Sequence, residues 1–146
     1  MFVLDTNVVS ELRKPPGRID ANVAAWATRL APGALFLSAI TLLELEIGVL
    51  QMERRDAVQG ALLRTWFDDH LQPAFSGRIL PVDARIALRC ASLHVPDRRS
   101  ERDAIIAATA LVHGMTVVTR KVQDFQSTGV PLLDPWSWRR ASVPSP

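Results

Sequence analysis

At 146 residues and 16.1 kDa, with 48% hydrophobic and 22% charged residues, the chain has the make-up of a soluble globular protein with room for one domain around one substantial core. No apolar run approaches the ~20 residues needed to cross a bilayer, no leader precedes Asp5, and Cys90 has no second thiol to pair with, so a cytoplasmic protein with no membrane association is expected. Net charge is only +2, yet 15 of the 17 basic residues are arginine, clustered at Arg13-Lys14, Arg54-Arg55, Arg98-Arg99 with Arg102, Arg120-Lys121 and Arg139-Arg140; such clusters suit a phosphate backbone, although a solvated surface or base composition gives the same count.

In chain order, FVLD (2–5), LFLS (35–38), RILPV (78–82) and TVVT (116–119) are apolar runs of strand length without period-two alternation, as expected of strands buried on both faces. Between them, Ile19, Val23, Trp26 and Leu30 make one helical stripe, LLELEIGVL (42–50) is apolar on most sides, and RDAIIAATALVHG predicts a helix ending in a His113-Gly114 C-cap. Strands alternating with helices predict an α/β fold with parallel strands, right-handed crossovers and helices on both faces. The domain is expected to span residues 1–140, with a frayed Pro- and Ser-rich tail over 141–146.

Acidic residues fall where such folds place ligands, beyond the carboxyl ends of the strands. Asp5 ends the first run, Glu44 lies in the helix after the second and Asp124 follows the fourth, while Asp103 opens the helix that leads into the fourth and reaches the same edge only if that helix starts there. Each has a purely structural alternative. Asp5 can cap the next helix, T-L-L-E (41–44) and S-E-R-D (100–103) read as capping boxes, and Asp124 can complement a helix dipole. Glu46 competes with Glu44, and helical periodicity does not choose between them. If the acids converge, their mutual repulsion requires protons or cations. His70, His94 and His113 read as isolated and Cys90 as inert packing, which argues against zinc, whereas all-oxygen ligands favour Mg²⁺ or Mn²⁺ and the metal-assisted attack of water on a phosphodiester.

FVLDTNVVSEL, LSAITLLELEIGVL, RDAIIAATALVHGMTVVTRKVQDF and GVPLLDPW together resemble the PIN-domain proteins, specifically the VapC/FitB-like toxins of toxin–antitoxin pairs, over nearly the whole chain. The resemblance implies a three-layer α/β/α sandwich and a metal-dependent endoribonuclease. It matches the catalytic and Mg²⁺- or Mn²⁺-binding acids to Asp5 in L-D-T-N, Glu44 (rather than Glu46) in T-x-x-E-L, Asp103 in D-A-x-I-A-A and Asp124 in T-R-x-x-D-F, with Thr6 and Thr119 as supporting hydroxyls. It further implies an RNA substrate, a cognate antitoxin protein that covers the acidic groove, and a homodimer. Lys121 departs from the pattern, which commonly has Asn after T-R, and leaves open the polar contacts around Asp124; a lysine there can meet a phosphate.

Two other functions fit parts of the sequence. An aspartyl-phosphate phosphotransferase would use Asp5 as nucleophile and Thr119 beside it, but its second aspartate is replaced by Asn7. A non-catalytic PIN-like binding module would have no need of all four acids.

Overall fold

Both faces of a five-stranded sheet are buried, which is why its strands carry no alternation in the sequence. The computed structural model describes residues 1–139. Its strands are β1 (Phe2–Leu4), β2 (Leu35–Ser38), β3 (Ile79–Leu80), β4 (Thr116–Val118) and β5 (Leu132–Leu133). They run in the order β3-β2-β1-β4-β5 and every pairing is parallel. In β1 and β4, Val3 and Val117 face one core while Leu4 and Val118 face the other, the period-two pleat expressed with apolar residues on both sides.

One layer is formed by α1 (Thr6–Leu12), α2 (Ala21–Thr28), α3 (Ala39–Arg55) and α4 (Ala57–Thr65), the last continuing through a π-helical turn over Trp66–Leu71 into a short α5 (Gln72–Ala74). Val8, Val9, Trp26, Leu45, Val49, Phe67 and Leu71 form its core. The opposite layer contains α6 (Ala84–Leu93), α7 (Glu101–His113) and the single turn α8 (Val122–Phe125), with Ile86, Ile106, Phe125 and the alanines of α7 packed inside. The three-layer sandwich expected from the sequence is therefore present.

Local chemistry sets the boundaries. Asp20 caps α2 by accepting from the amides of Asn22 and Val23, and Gly114, at φ 67°, ends α7 in the left-handed conformation that glycine adopts without strain. Helix α3 starts earlier than T-L-L-E suggests. Its N-cap is Ser38, whose hydroxyl accepts from the Ile40 amide, and Thr41 lies inside the first turn, fully buried and, among the described residues, with its hydroxyl unpartnered. The capping-box alternative for Glu44 is thereby removed. The run 78–82 pairs only over Ile79–Leu80, and β5 is too short to leave a periodic signal. Arg140 and the tail expected over 141–146 lie outside the described residues.

From β1 the chain steps outward through β2 to β3, then crosses over through α6 and α7 to β4 on the other side of β1. The carboxyl ends of β1 and β4 thus flank the point where strand order reverses, the position at which open parallel sheets bind their ligands.

Candidate active site

Asp5 leaves the end of β1 at this crevice. Its backbone amide still donates to Val118 O of β4 at 2.9 Å, and the residue serves as N-cap of α1. Only 2% of it is exposed. Oδ1 accepts from the Thr6 amide at 2.8 Å; Oδ2 accepts from Thr119 Oγ1 at 2.7 Å and from Asn7 Nδ2 at 3.2 Å. Thr119 is itself buried just past β4, and its hydroxyl also accepts from the Lys121 amide at 2.9 Å. Asp5 therefore both caps α1 and lines the cleft.

Glu44 reaches the same cleft from α3. Thr6 Oγ1 donates to Glu44 Oε2 at 3.0 Å, so one residue at the start of α1 holds the Asp5 carboxylate through its backbone amide and the Glu44 carboxylate through its hydroxyl. Glu46 is engaged elsewhere. Both of its oxygens accept from Arg64, at 2.7 and 3.1 Å, and the same guanidinium spans to Glu53, tying α3 to α4 on the outside of the molecule. This is the discrimination that helical periodicity alone did not provide.

Asp103 enters through Lys121. Lys121 Nζ donates to Asp103 Oδ1 at 3.3 Å, and Ser100 caps α7 by accepting from the Asp103 amide at 3.4 Å. The S-E-R-D cap is thus present on its serine side, while the Asp103 carboxylate turns to the lysine. Asp124 is exposed in the single turn α8; among the described residues its carboxylate makes no hydrogen bond, and it is felt in the cleft through its charge on Lys121. The structure brings Asp5, Thr6, Glu44 and Thr119 into one hydrogen-bonded group, adds Asp103 through an ion pair, and leaves Asp124 at the rim.

Asn7, Ser10 and Arg120 also line the cleft, which has a volume of about 400 Å³. Asn7 joins the strand ends, donating to Asp5 and, at 3.4 Å, to Thr119 Oγ1, and accepting from the Arg120 amide at 3.3 Å. Its place two residues after Asp5 in D-T-N was the available signal, since a residue at that spacing in a first helical turn can fold back onto the cap.

The electrostatics follow from burial. Desolvation pushes the Asp5 carboxyl above its ordinary value and Asp103 adds to the push, while the Thr119 hydroxyl, Lys121 and the Thr6 amide oppose it without prevailing. Burial likewise raises Glu44, against the Thr6 hydrogen bond and with the Asp5 charge adding to the rise. Burial pulls Lys121 down, but the charges of Asp5, Asp103 and Asp124 and the hydrogen bond to Asp103 outweigh it, so its pKa rises. The cleft is therefore short of positive charge despite one lysine. Its donors are carboxylate and hydroxyl oxygens, the set that a hard divalent cation takes and zinc thiolate chemistry does not. The residues present fit Mg²⁺ or Mn²⁺.

A family model described as PIN domain matches residues 2–128. The chain belongs to the PIN-domain family. Among curated members, this PIN-domain chain is 38% identical over 144 residues to VapC ribonuclease Y4jK of Sinorhizobium fredii, covering 93% of this chain and 98% of that one. It is 34% identical over 141 residues to Toxin FitB of Neisseria gonorrhoeae, with 93% and 99% covered. The FitAcB crystal structure from Neisseria gonorrhoeae superposes with a TM-score of 0.86 at 34% identity, over 94% of this chain and all of that chain. No helix of the described residues is long and apolar enough to cross a membrane.

Proposed function

We propose that this PIN domain is the toxin of a toxin–antitoxin pair and a Mg²⁺- or Mn²⁺-dependent endoribonuclease acting in the cytoplasm. The observation that carries this reading is Asp5, a carboxylate buried at the strand switch point and held by three donors beside Glu44 and the Lys121–Asp103 pair. Similarity to proteins named ribonuclease and toxin supports the RNA substrate and the cellular role. Asp5, Glu44 and Asp103 are the residues that would hold the ion, with Asp124 contributing negative charge from the rim.

When bound, such an ion supplies a water acidic enough to attack a phosphodiester and positive charge for the phosphoryl oxygens. The chain supplies the geometry around it. Thr119 and the Thr6 amide fix the Asp5 carboxylate in one orientation, and the Thr6 hydroxyl does the same for Glu44, so neither acid has to be ordered when substrate arrives. Arg120 and Lys121, on the cleft wall, provide cations for the RNA backbone next to the acids. The phosphotransferase alternative is disfavoured because both Asp5 oxygens are engaged and Asn7, in the place of its second acid, donates to Asp5 rather than serving as an acid.

The partner implied is an antitoxin whose basic side chain enters the acidic cleft as a counter-charge in place of the ion. Homodimer formation is supported by apolar side chains left outside on adjacent helices, Leu43 and Leu50 of α3 with Val58 and Leu62 of α4. The test is incubation of the purified chain with RNA and, separately, with a small phosphate ester, each in Mn²⁺ and in EDTA. Cleavage of RNA in Mn²⁺ alone is expected. Turnover of the ester without RNA cleavage would transfer the site to phosphotransfer, and activity on neither would leave a binding module.

A further inference from the structure

A second group of ligand-type side chains lies at the α6–α7 corner, where the sequence suggested isolated histidines and an inert cysteine. Cys90 and His94 stand one turn apart at the end of α6, the spacing that sets two side chains next to each other. Cys90 Sγ is 3.9 Å from His94 Nε2. Glu101, the first residue of α7, brings its carboxylate to the same place, so that one ligand atom from each residue lies within 4.8 Å of the other two. The three open onto a cleft of about 370 Å³ that Arg98 also lines. Among the described residues Glu101 makes no ion pair or side-chain hydrogen bond.

We propose that Cys90, His94 and Glu101 form a binding site for a divalent ion of the zinc type, separate from the carboxylates at the strand switch point. Thiolate, imidazole and carboxylate are the donors that zinc accepts, and three protein ligands leave a fourth position open to water in the adjoining cleft. The sulfur and nitrogen select against Mg²⁺, which requires oxygen. Bond lengths of about 2.0–2.3 Å place tetrahedral ligands roughly 3.3–3.8 Å apart, so the three atoms have about an ångström to close. Glu101 is exposed and His94 is the C-cap of its helix, so both have freedom to make that adjustment. The Cys90 thiol gives its proton to solvent as the ion binds.

A nucleophilic Cys–His pair is the other chemistry these residues suggest, and the geometry disfavours it. In such a pair the acid sits behind the imidazole, on the nitrogen remote from sulfur. Here the remote nitrogen, His94 Nδ1, already accepts from the Arg99 amide at 3.3 Å, and a Glu101 carboxylate oxygen lies within 4.8 Å of the sulfur. Burial and the Glu101 charge also raise the Cys90 pKa, keeping the thiol neutral. The Arg99 bond makes a prediction of its own. Coordination through Nε2 moves the imidazole proton to Nδ1, so the Arg99 amide must turn away and the segment 95–99 moves with metal. Because Glu101 opens the helix that presents Asp103, an ion here would pin the start of α7 beside the catalytic cleft.

Co²⁺ is the probe, added to the full chain and followed by absorption. Wild type and Asp5→Asn should both show a thiolate-to-cobalt band in the near ultraviolet with intense visible bands of tetrahedral cobalt, and Zn²⁺ should bleach them. Cys90→Ser should lose the thiolate band. His94→Gln and Glu101→Gln, at positions that are not part of the core, should each weaken Co²⁺ binding roughly tenfold or more. No thiolate band in the folded wild type, or a band undiminished in both His94→Gln and Glu101→Gln, would overturn the site. Loss of the band in Asp5→Asn would overturn its separateness.

Discussion

Replacing Lys121 with Gln tests how the acidic cleft balances its charge. The ammonium lies 3.3 Å from Asp103 Oδ1, and the Lys121 side chain is 47% exposed against 13% for Asp103, so solvent screens the pair strongly. An exposed pair of this kind contributes about 0.2–1 kcal/mol, and the further attraction to Asp5 and Asp124 brings the whole to about 1 kcal/mol. The Lys121 contact to Thr119 is made by the backbone amide and survives the substitution. In EDTA the variant should therefore melt about 2–4 °C lower than wild type. A divalent ion entering the cleft has to displace the same ammonium, so removing it should tighten Mn²⁺ binding about fivefold, the equivalent of about 1 kcal/mol. Thermal unfolding in EDTA and calorimetric Mn²⁺ titration read the two halves. An unchanged melting temperature, or Mn²⁺ binding that weakens, would refute Lys121 as a stand-in for the ion.

Three other outcomes follow from the same structure. Since burial raises the Asp5 and Glu44 pKa values, the metal-free fold favours their protonated forms more than the unfolded chain does, and the stability this contributes is present below their unfolded values and lost as pH rises through the folded ones; in EDTA the melting temperature of wild type relative to Asp5→Asn should fall as pH rises above about 4, and a rise would contradict the burial argument. A Cβ at Gly60 would meet Glu53 Cα at 2.4 Å where α4 crosses α3, so Gly60→Ala should cost about 1–3 kcal/mol in denaturant unfolding, with wild-type stability counting against that close approach. Thr41→Val replaces a buried hydroxyl that is unpartnered among the described residues with a methyl group and should stabilise by about 1 kcal/mol; a loss of stability would mean that the hydroxyl has a partner.

Much of the sheet was legible because apolar runs in β1, β2 and β4 are long enough to register, and because acids at their ends stood out against them. Apart from Asn7, whose spacing from Asp5 was a local signal, what was missed had a weak or misleading local signature. Strand β5 is two residues long, and the start of α3 was misplaced because Thr41 and Glu44 satisfy a cap pattern that Ser38, three residues earlier, fills instead. Helical periodicity could not separate Glu44 from Glu46; the resemblance matched Glu44, and the fold places Arg64 of α4 over Glu46. Lys121 could be identified as a departure, but its pairing with Asp103 joins residues 18 apart in sequence and depends on how α7 meets β4. The Cys90–His94–Glu101 group was overlooked because its third member lies on the next helix, beyond a loop whose path the sequence does not reveal.

The most direct measurement of the central claim is the single-turnover rate of RNA cleavage in Mn²⁺ by Asp5→Asn beside wild type, with Glu46→Gln as the control acid and circular dichroism confirming that all three are folded. If Asp5 anchors the ion, the Asn variant should lose roughly a hundredfold or more in rate, and Glu46→Gln, whose partner Arg64 lies outside the cleft, should cleave at close to the wild-type rate. Cleavage by folded Asp5→Asn at the wild-type rate would contradict the assignment of this cleft as the nuclease site.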